Sequence, residues 1–396
     1  MTLPKTTQAT GDARAAGTTV QTAPEPLITT LAQLHDYLYR GLRIEHATLP
    51  PYLTALYSLE RERNSDAWHI IRVVAVEEML HLTLVANVLN AVRGRPDLTK
   101  PGFVPRYPTA LPDGEDDFLV HLRPFGEEAV DMFLEIERPR QAPAARHRVV
   151  EQQALPAEVG SSFGPESGVA GEALAAVPGQ PGLKFYSIGE FYEEVISGIN
   201  YLEDRARDRG KSIFTGDPAR QVTQEYFYSG GGQIIPVTNR DTAVRALTLI
   251  AEQGEGLGGG IYDAEDELAH YYRFQQLKLG RYYQSGDEPG SPSGPRVSVD
   301  FRAAHPVKRD PRLRDYPKDS ELRAAAVDFN EKYASFLTML TEAYNGKPGV
   351  LLEAVWEMFR IRDTMSRLMR NPIPGQPGKN AGPTFELYPA TRAETT

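Results

Sequence analysis

The stretch that decides the fold is VVAVEEMLHLTLVANVL, which runs from Val73 to Leu89. Read as a helix, it is apolar almost all the way round, which is typical of a helix that passes through a core. Glu78 and His81 are three residues apart and therefore share one face of that helix. Because a buried carboxylate is costly unless it is paired or binds a metal, this face predicts a cation site.

The composition indicates an ordinary globular protein with no nucleic-acid partner. The chain has 396 residues, of which 41% are hydrophobic and 9% aromatic, enough for one large core or two domains. The formal net charge of −10 and the lack of a basic patch argue against nucleic acid and, more weakly, against anionic membranes. No apolar run is long enough to span a membrane.

The chain contains no cysteine, which rules out disulfides, thiolate metal sites and cysteine nucleophiles. Any metal must therefore be held by nitrogen and oxygen ligands. Residues 1–27 are rich in Thr, Ala, Gly and Pro and contain no apolar signal core. We therefore expect a disordered N-terminal segment on a cytoplasmic protein.

Two other predicted helices carry acidic groups on their inward faces. Leucines at steps of three and four place Glu45 on the apolar stripe of a first helix, which begins near Leu31 and is interrupted by a Pro-Pro pair. A short turn makes this helix an antiparallel neighbour of the second. Farther along, Glu267 and His270 form a second Glu-x-x-His pair on a helix predicted over 264–283.

A third predicted helix, 188–208, supplies the remaining carboxylate, and which residue supplies it is open. Glu194 lies nearest the apolar stripe, whereas Glu190 and Glu193 lie farther round the helix. Glu255, in a glycine-rich break after the fourth helix, could also supply an oxygen ligand.

Each of these groups also has a purely structural interpretation. Glu45 could be a core glutamate paired with a nearby arginine, and the acidic residues around Glu267 suit the solvated first turn of a helix. Tyr52 and Tyr192 are expected to be packing residues. The order Glu, Glu-x-x-His, Glu, Glu-x-x-His at inward positions nevertheless favours a metal site.

This order matches the dinuclear carboxylate bundles, in which two helices give one Glu each and two others give Glu-x-x-His. Glu45, Glu78 and His81 would form one half of the centre. Glu267, His270 and a glutamate of the third helix would form the other half. Such ligands hold iron(II) or manganese(II) and leave positions for O2, so the predicted cofactor is a pair of Fe ions, with Mn possible.

The rest of the chain predicts elaborations on this bundle. The bundle is assigned to 28–283, with long irregular insertions at 94–184 and 210–238. A wrapping loop, two extra C-terminal helices and an extended tail are expected in 284–396. Two short runs within the insertions are strand candidates, 118–122 and 234–237.

The predicted bundle helices carry four short motifs, which are LRIEHATLPPYL at 42–53, EEMLHL at 77–82, SIGEFY at 187–192, and EQGEG at 252–256 followed by HYYRF at 270–274. These motifs resemble the ferritin-like domain that also occurs in iminophenyl-pyruvate dimer synthases of violacein and indolocarbazole biosynthesis. The resemblance covers about 28–283.

The resemblance implies a mainly α fold, a ferritin-like four-helix bundle with a dinuclear metal centre, and often a place in secondary metabolism. It favours Glu190 over Glu194 as the ligand from the third helix, and it keeps Glu255 as a ligand or an acid–base group. The dimer synthases carry a long additional segment that this chain is too short to contain. Their activity is therefore not expected here.

These observations together predict an O2-dependent oxidoreductase that acts on a small organic molecule, such as an amine or an amino-acid-derived metabolite. The expected partners are that substrate and O2, with neither nucleic acid nor membrane, and a homodimer is one possible assembly. Two other functions fit the same residues. One is iron handling by a ferroxidase or storage module, and the other is a non-catalytic bundle with a structural metal.

Overall fold

The chain is mainly α-helical, as predicted. The computed structural model describes residues 26–112, 118–139, 185–227 and 231–387. Nearly all of the predicted disordered segment and part of the first insertion lie outside these residues. Within the described ranges there is no strand. The helices are α1 (Leu31–Ser58), α2 (Ser65–Ala91), α3 (Glu127–Ile136), α4 (Ile188–Arg207), α5 (Arg240–Glu255), α6 (His270–Leu279), α7 (Glu321–Ala343) and α8 (Val350–Met369).

A four-helix bundle forms the centre of the molecule. α1 packs against α2 and α4 packs against α5, while contacts between α1 and α4 and between α2 and α5 close the bundle. The apolar stretch from Val73 lies in α2, and every residue from Leu80 to Ala91 is buried. The prediction of a central, fully covered helix is confirmed, because neighbouring elements cover all of its faces.

α1 continues through Pro50 and Pro51 as a single helix of 28 residues. Because Pro51 has no N–H, the carbonyl of Ala47, four residues earlier, loses its usual partner within the helix. The phenol of Tyr107 donates to that carbonyl at 2.9 Å. A side chain from the first insertion thus compensates for the interruption, and Glu45 remains on the buried face.

The first insertion carries α3 but no strand in its described part. The strand predicted over 118–122 is reduced to one bridge, in which Val120 pairs with Thr109, so that prediction is wrong. α3 follows, and its buried side includes Val130 and Phe133. α3 packs against α6 and contacts α1.

The second insertion is fixed to α2 by side-chain amides rather than by a sheet. Asn87, which is fully buried, donates to the carbonyls of Val222 and Ile235 and accepts from the N–H of Val222. Within the insertion itself, the amide of Gln221 pairs with both backbone groups of Val237. Because these amides satisfy the backbone, the strand predicted in this segment does not form, and that prediction is also wrong.

α6 is shorter than predicted, since it begins at His270 and not before Glu267. The carboxylate of Asp263 accepts the N–H of Glu267 at 2.8 Å, which holds the intervening residues in a turn. Asp266 within this turn has a φ of 60°, a left-handed conformation that a helix does not allow. α6 packs against α2, α3 and α5.

The C-terminal region contains the two predicted extra helices. α7 and α8 pack against each other, and α8 also contacts α1. The elaborations therefore rest directly on the bundle. Among the described residues, no helix has the length and apolarity that crossing a membrane requires.

We predict that Asn87→Ala destabilises the protein by about 2–4 kcal/mol, because buried backbone groups of Val222 and Ile235 lose their partners. Urea or thermal unfolding would measure the change. Asn371→Ala is the control, since that residue is exposed and its amide donates to the Arg367 carbonyl. The control should stay within about 0.5 kcal/mol of the parent. Equal effects of the two substitutions would contradict the anchoring role of Asn87.

Candidate metal centre

Two groups of buried side chains meet inside the protein and share Glu78. Glu45, Glu78 and His81 form one group, and Glu78, Glu137 and His270 form the other. Within each group the ligating atoms, one from each residue, lie within 4.8 Å of one another. All five residues are at most 4% exposed, so bulk water does not solvate these charges.

The δ nitrogens of both imidazoles face the carboxylates. His81 Nδ1 lies 3.4 Å from Glu45 Oε2 and 3.8 Å from Glu78 Oε1. His270 Nδ1 lies 2.9 Å from the same Glu78 oxygen and 3.5 Å from Glu137 Oε2. Carboxylate oxygens and imidazole nitrogens thus converge on one small volume, with Glu78 between its two halves.

The ε nitrogens are held from outside this volume. His81 Nε2 lies 2.9 Å from Gln253 Oε1, and the Gln253 amide nitrogen donates to a backbone carbonyl of the second insertion, which fixes the amide orientation. His270 Nε2 lies 2.8 Å from Glu77 Oε2, and Arg273 pairs with the same Glu77 carboxylate. Both imidazoles can therefore donate through Nε2 and present Nδ1 inward, as metal-binding histidines do.

Each of the three carboxylates has one oxygen that faces an imidazole and an outer oxygen that accepts a hydrogen bond from a hydroxyl group. The phenol of Tyr192 donates to Glu45 Oε1, and that of Tyr52 donates to Glu137 Oε1. The hydroxyl of Thr48 donates to Oε2 of the shared carboxylate at 2.9 Å. Burial and the adjacent carboxylates raise the pKa of both phenols well above the usual range. The phenols therefore stay protonated and remain donors.

In the absence of a cation, this centre retains protons. Burial and the charge of Glu137 raise the pKa of Glu78 to about 7. Burial alone would lower the pKa of His81 and His270, but the surrounding carboxylates outweigh it and raise both pKa values. Protons thus supply the positive charge that the clustered carboxylates require.

The donor set fits a divalent metal ion. Carboxylate oxygens and imidazole nitrogens suit first-row ions such as iron(II) and manganese(II). Two ions, one in each group, could each contact an imidazole, the shared Glu78 and an outer carboxylate. The outer carboxylate is Glu45 in one group and Glu137 in the other. Gln253 and Glu77 contact the ε nitrogens, as the residues that orient metal-binding histidines commonly do.

A family model described as Ferritin-like matches residues 38–279, a range that includes every residue of both groups. This chain belongs to the ferritin-like family. The bundle of α1, α2, α4 and α5 is the helical core expected of such a protein, and its buried carboxylate–imidazole groups could hold metal ions.

Two known proteins show how far this likeness extends. The chain is 25% identical over 342 residues to the dichlorochromopyrrolate synthase of Lentzea aerocolonigenes, covering 79% of this chain and 29% of that enzyme. The chain therefore spans less than a third of the length of this distant curated relative. The crystal structure of a ferritin-like protein from Caulobacter vibrioides is 19% identical and has a TM-score of 0.59, over 91% of this chain and 100% of that chain. The likeness to this crystal structure shows that the two chains share a fold.

The structure of this ferritin-like protein brings together four of the predicted ligands. Glu267 lies outside both groups, since its side chain is 53% exposed and pairs with Arg273. Because α6 starts only at His270, Glu267 precedes the helix, and the prediction that these two residues share a helical face is wrong. The four that meet are Glu45, Glu78, His81 and His270.

The third-helix glutamates also lie outside both groups. Glu190, in the first turn of α4, accepts the N–H of Tyr186 at 3.1 Å. Glu194 accepts the N–H of Leu27, and Glu193 is exposed. Glu190 thus engages the backbone beside its own helix start, where negative charge is favourable. The structure therefore does not bring it into the ligand groups.

Glu255, the last residue of α5, lies beside the centre. It is 4% exposed and lines the same cavity as both groups. Its Oε1 accepts the N–H of Gly189, in the first turn of α4, at 2.7 Å. A Cβ at Gly189 would lie 2.4 Å from that oxygen, so the glycine gives the carboxylate room to reach the helix.

Glu137 is the member of the two groups that sequence reasoning missed. It directly follows α3, and its N–H donates to the Phe133 carbonyl, so it extends the helical path by one residue. A signal was present, because Val130, Phe133 and Glu137 recur at steps of three and four. That spacing places the carboxylate on the apolar side of α3.

We expect the metal-free protein to lose stability as the pH rises from about 5 to 7. Folded Glu78 keeps a proton that an unfolded glutamate, with a pKa of about 4.3, has already released. Its contribution is therefore fully present below about pH 4.3, falls progressively as the pH rises, and is gone once the pH exceeds about 7. The raised pKa values of His81 and His270 act in the same direction.

Thermal unfolding of metal-free protein should show this as a melting temperature that falls by a few degrees. Glu78→Gln should flatten the dependence, whereas the exposed control Glu267→Gln should leave it unchanged. An added divalent ion should reverse the slope, because it binds deprotonated ligands. A melting temperature that rises with pH in the metal-free protein would contradict this account.

A second substitution tests which residues complete the centre. Glu137→Gln should weaken binding of the second metal ion at least about tenfold, because it removes an anionic ligand. Metal analysis of protein dialysed against a fixed metal concentration would measure the bound ions. Glu190→Gln and Glu267→Gln are matched controls that should keep the parent stoichiometry. If Glu267→Gln lost an ion and Glu137→Gln did not, the ligand set inferred from the sequence would be correct instead.

Proposed function

We propose that this ferritin-like protein is an oxidoreductase that uses O2 and a dinuclear non-haem metal centre to oxidise a small organic molecule. The proposed metal is a pair of iron ions, with manganese as the alternative. The observation that carries the proposal is the pair of buried Glu/His groups joined at Glu78. Carboxylate and imidazole ligands leave iron(II) with positions that O2 can take.

The chain's own residues would divide the work as follows. Glu45 and His81 would hold one ion, Glu137 and His270 would hold the other, and Glu78 would join the two. When bound, the ions supply the site at which O2 binds and the electrons that reduce it. The protein excludes water from this volume and fixes both imidazoles through their Nε2 hydrogen bonds.

Glu255 is the proposed proton-transfer group. Its carboxylate lines the cavity of the centre but belongs to neither ligand group. The N–H of Gly189 holds one of its oxygens at the start of α4, where the helix dipole favours negative charge. A carboxylate held beside the ligands in this way can accept a proton from a substrate and return it later.

An apolar cleft next to the centre is the proposed substrate site. Ile136, Arg138 and Ile188 border both this cleft and the cavity of the centre. Such a mixture of apolar walls and a few polar groups is typical of sites for small organic ligands. The aromatic residues that line the cleft are Phe118, Phe185, Tyr186 and Phe191.

The substrate is proposed to be an amine or an amino-acid-derived metabolite of a secondary pathway. The distant homology to dichlorochromopyrrolate synthase, an enzyme of indolocarbazole biosynthesis, supports this assignment. A cytoplasmic location, the absence of a nucleic-acid partner and assembly as a homodimer stay predictions from the sequence.

The test is O2 consumption by protein loaded anaerobically with iron(II). The loaded parent should consume O2 faster than the same concentration of free iron(II), and candidate amines or amino acids should increase the consumption further. His81→Ala should reduce the rate at least about tenfold, because it removes a metal ligand. An oxygen electrode and product analysis would measure both effects.

His35→Ala is the control variant, since His35 Nε2 contacts the Val92 carbonyl at 2.7 Å and lies outside both ligand groups. It should retain the parent rate. A loaded parent that consumes no O2 beyond free iron(II), with every candidate substrate, would refute the proposed activity. If His81→Ala lowered the melting temperature of loaded protein and the parent had no turnover, the metal would be structural.

A further inference from the structure

Two buried tyrosines contact the outer carboxylates in the same way. Tyr192 of α4 donates to Oε1 of Glu45, whose Oε2 lies 3.4 Å from His81 Nδ1. Tyr52 of α1 donates to Oε1 of Glu137. In each case one carboxylate oxygen is occupied by a phenol and the other faces the centre.

The second half of the centre repeats the geometry of the first. Oε2 of Glu137 lies 3.5 Å from His270 Nδ1, and Oε2 of Glu45 lies 3.4 Å from His81 Nδ1. The tyrosines come from α4 and α1, and the carboxylates that they contact come from α1 and from the residue that follows α3. Because a different pair of segments builds the arrangement in each half, its repetition indicates a requirement of the centre rather than an accident of packing.

The phenols are held rigidly in these positions. Both tyrosines are 0% exposed. The centroid of the Tyr52 ring lies 4.7 Å from that of Phe133 and 5.2 Å from that of Phe274. The ring of Tyr192 packs edge-on against that of Phe191, with 5.2 Å between the two ring centroids. The Tyr192 hydroxyl also lies close to α1, since a Cβ at Gly41 would be 3.3 Å from it. Neither hydroxyl can move away easily when the carboxylate shifts.

A carboxylate can bind a metal through one oxygen or through both. A hydrogen bond to an ionised group is roughly twice as strong as one between neutral groups, so an oxygen that accepts from a fixed phenol is poorly available to a metal. Each outer carboxylate is therefore prepared to offer one oxygen. A metal ion that receives one oxygen where two were possible keeps a coordination position for another ligand.

We propose that Tyr52 and Tyr192 are positioning residues that restrict Glu137 and Glu45 to one-oxygen coordination and thereby keep a position open on each metal ion. The inference rests on the proposed dinuclear centre and adds what sets its coordination number. It gives both tyrosines a role beyond the packing that their sequence context predicts. Phenylalanine at either position would release an oxygen that could close the open position.

The test uses cobalt(II) as the probe metal and azide as the probe ligand. Cobalt(II) absorbs visible light with an intensity that depends on its coordination number, so it reports ligand changes without turnover. Tyr52→Phe and Tyr192→Phe should keep the parent cobalt stoichiometry but absorb more weakly, because the released oxygen adds a ligand. The azide dissociation constant should rise about tenfold in each variant.

Tyr344→Phe is the matched control, since this buried phenol pairs with the Thr83 hydroxyl at 3.0 Å and not with a member of either group. It should keep the parent spectrum and azide affinity. Unchanged spectra and azide affinity in both Tyr52→Phe and Tyr192→Phe would overturn the proposal. Loss of cobalt from folded variants would also overturn it, because the phenols would then set metal affinity instead.

Because there are two tyrosine variants, the test remains valid if one of them misfolds. If one variant does not fold by circular dichroism, the other examines the same claim at the opposite carboxylate. Failure of the parent to bind two cobalt ions would refute the proposed centre itself, and with it this inference. That result is separate from the comparison of variants, because it is read on the parent before any substitution is made.

Discussion

The negative charge buried around Glu78 is the constraint on which the rest of this structure depends. Carboxylates so close together in a medium of low dielectric constant repel one another strongly and have lost their hydration. Two kinds of neighbouring group stabilise that charge. Imidazole nitrogens face it from within, and hydroxyl groups donate to the outer oxygens. The bundle packs around this arrangement rather than around a purely apolar core.

Local periodicity was enough to predict the parts of the centre that lie on long helices. Glu45, Glu78 and His81 fall on regular apolar stripes, and their inward position follows from spacing alone. His270 was identified within a wrong local structure, because the turn held by Asp263 replaces the expected first turns of its helix. Spacing cannot reveal a turn that one side chain stabilises.

The remaining features depend on contacts between distant parts of the chain. Glu137 reaches the centre because α3 packs against α6 and α1, which no pattern within α3 predicts. Glu190 matched a family motif, but a motif gives the identity of a residue and not its distance from a metal. The strand predicted before Asn239 failed for a similar reason, because its backbone is satisfied by amides from elsewhere.

The two halves of the centre have different structural origins. Glu45, Glu78 and His81 lie well inside α1 and α2, whereas Glu137 directly follows α3 and His270 is the first residue of α6. The first half is thus built into continuous helices, and the second is assembled where two short helices end and begin. If the centre takes up two ions as proposed, this asymmetry would favour stepwise filling, in which the ion on the long helices enters first. A singly occupied form would then be a distinct state on the route to the complete centre.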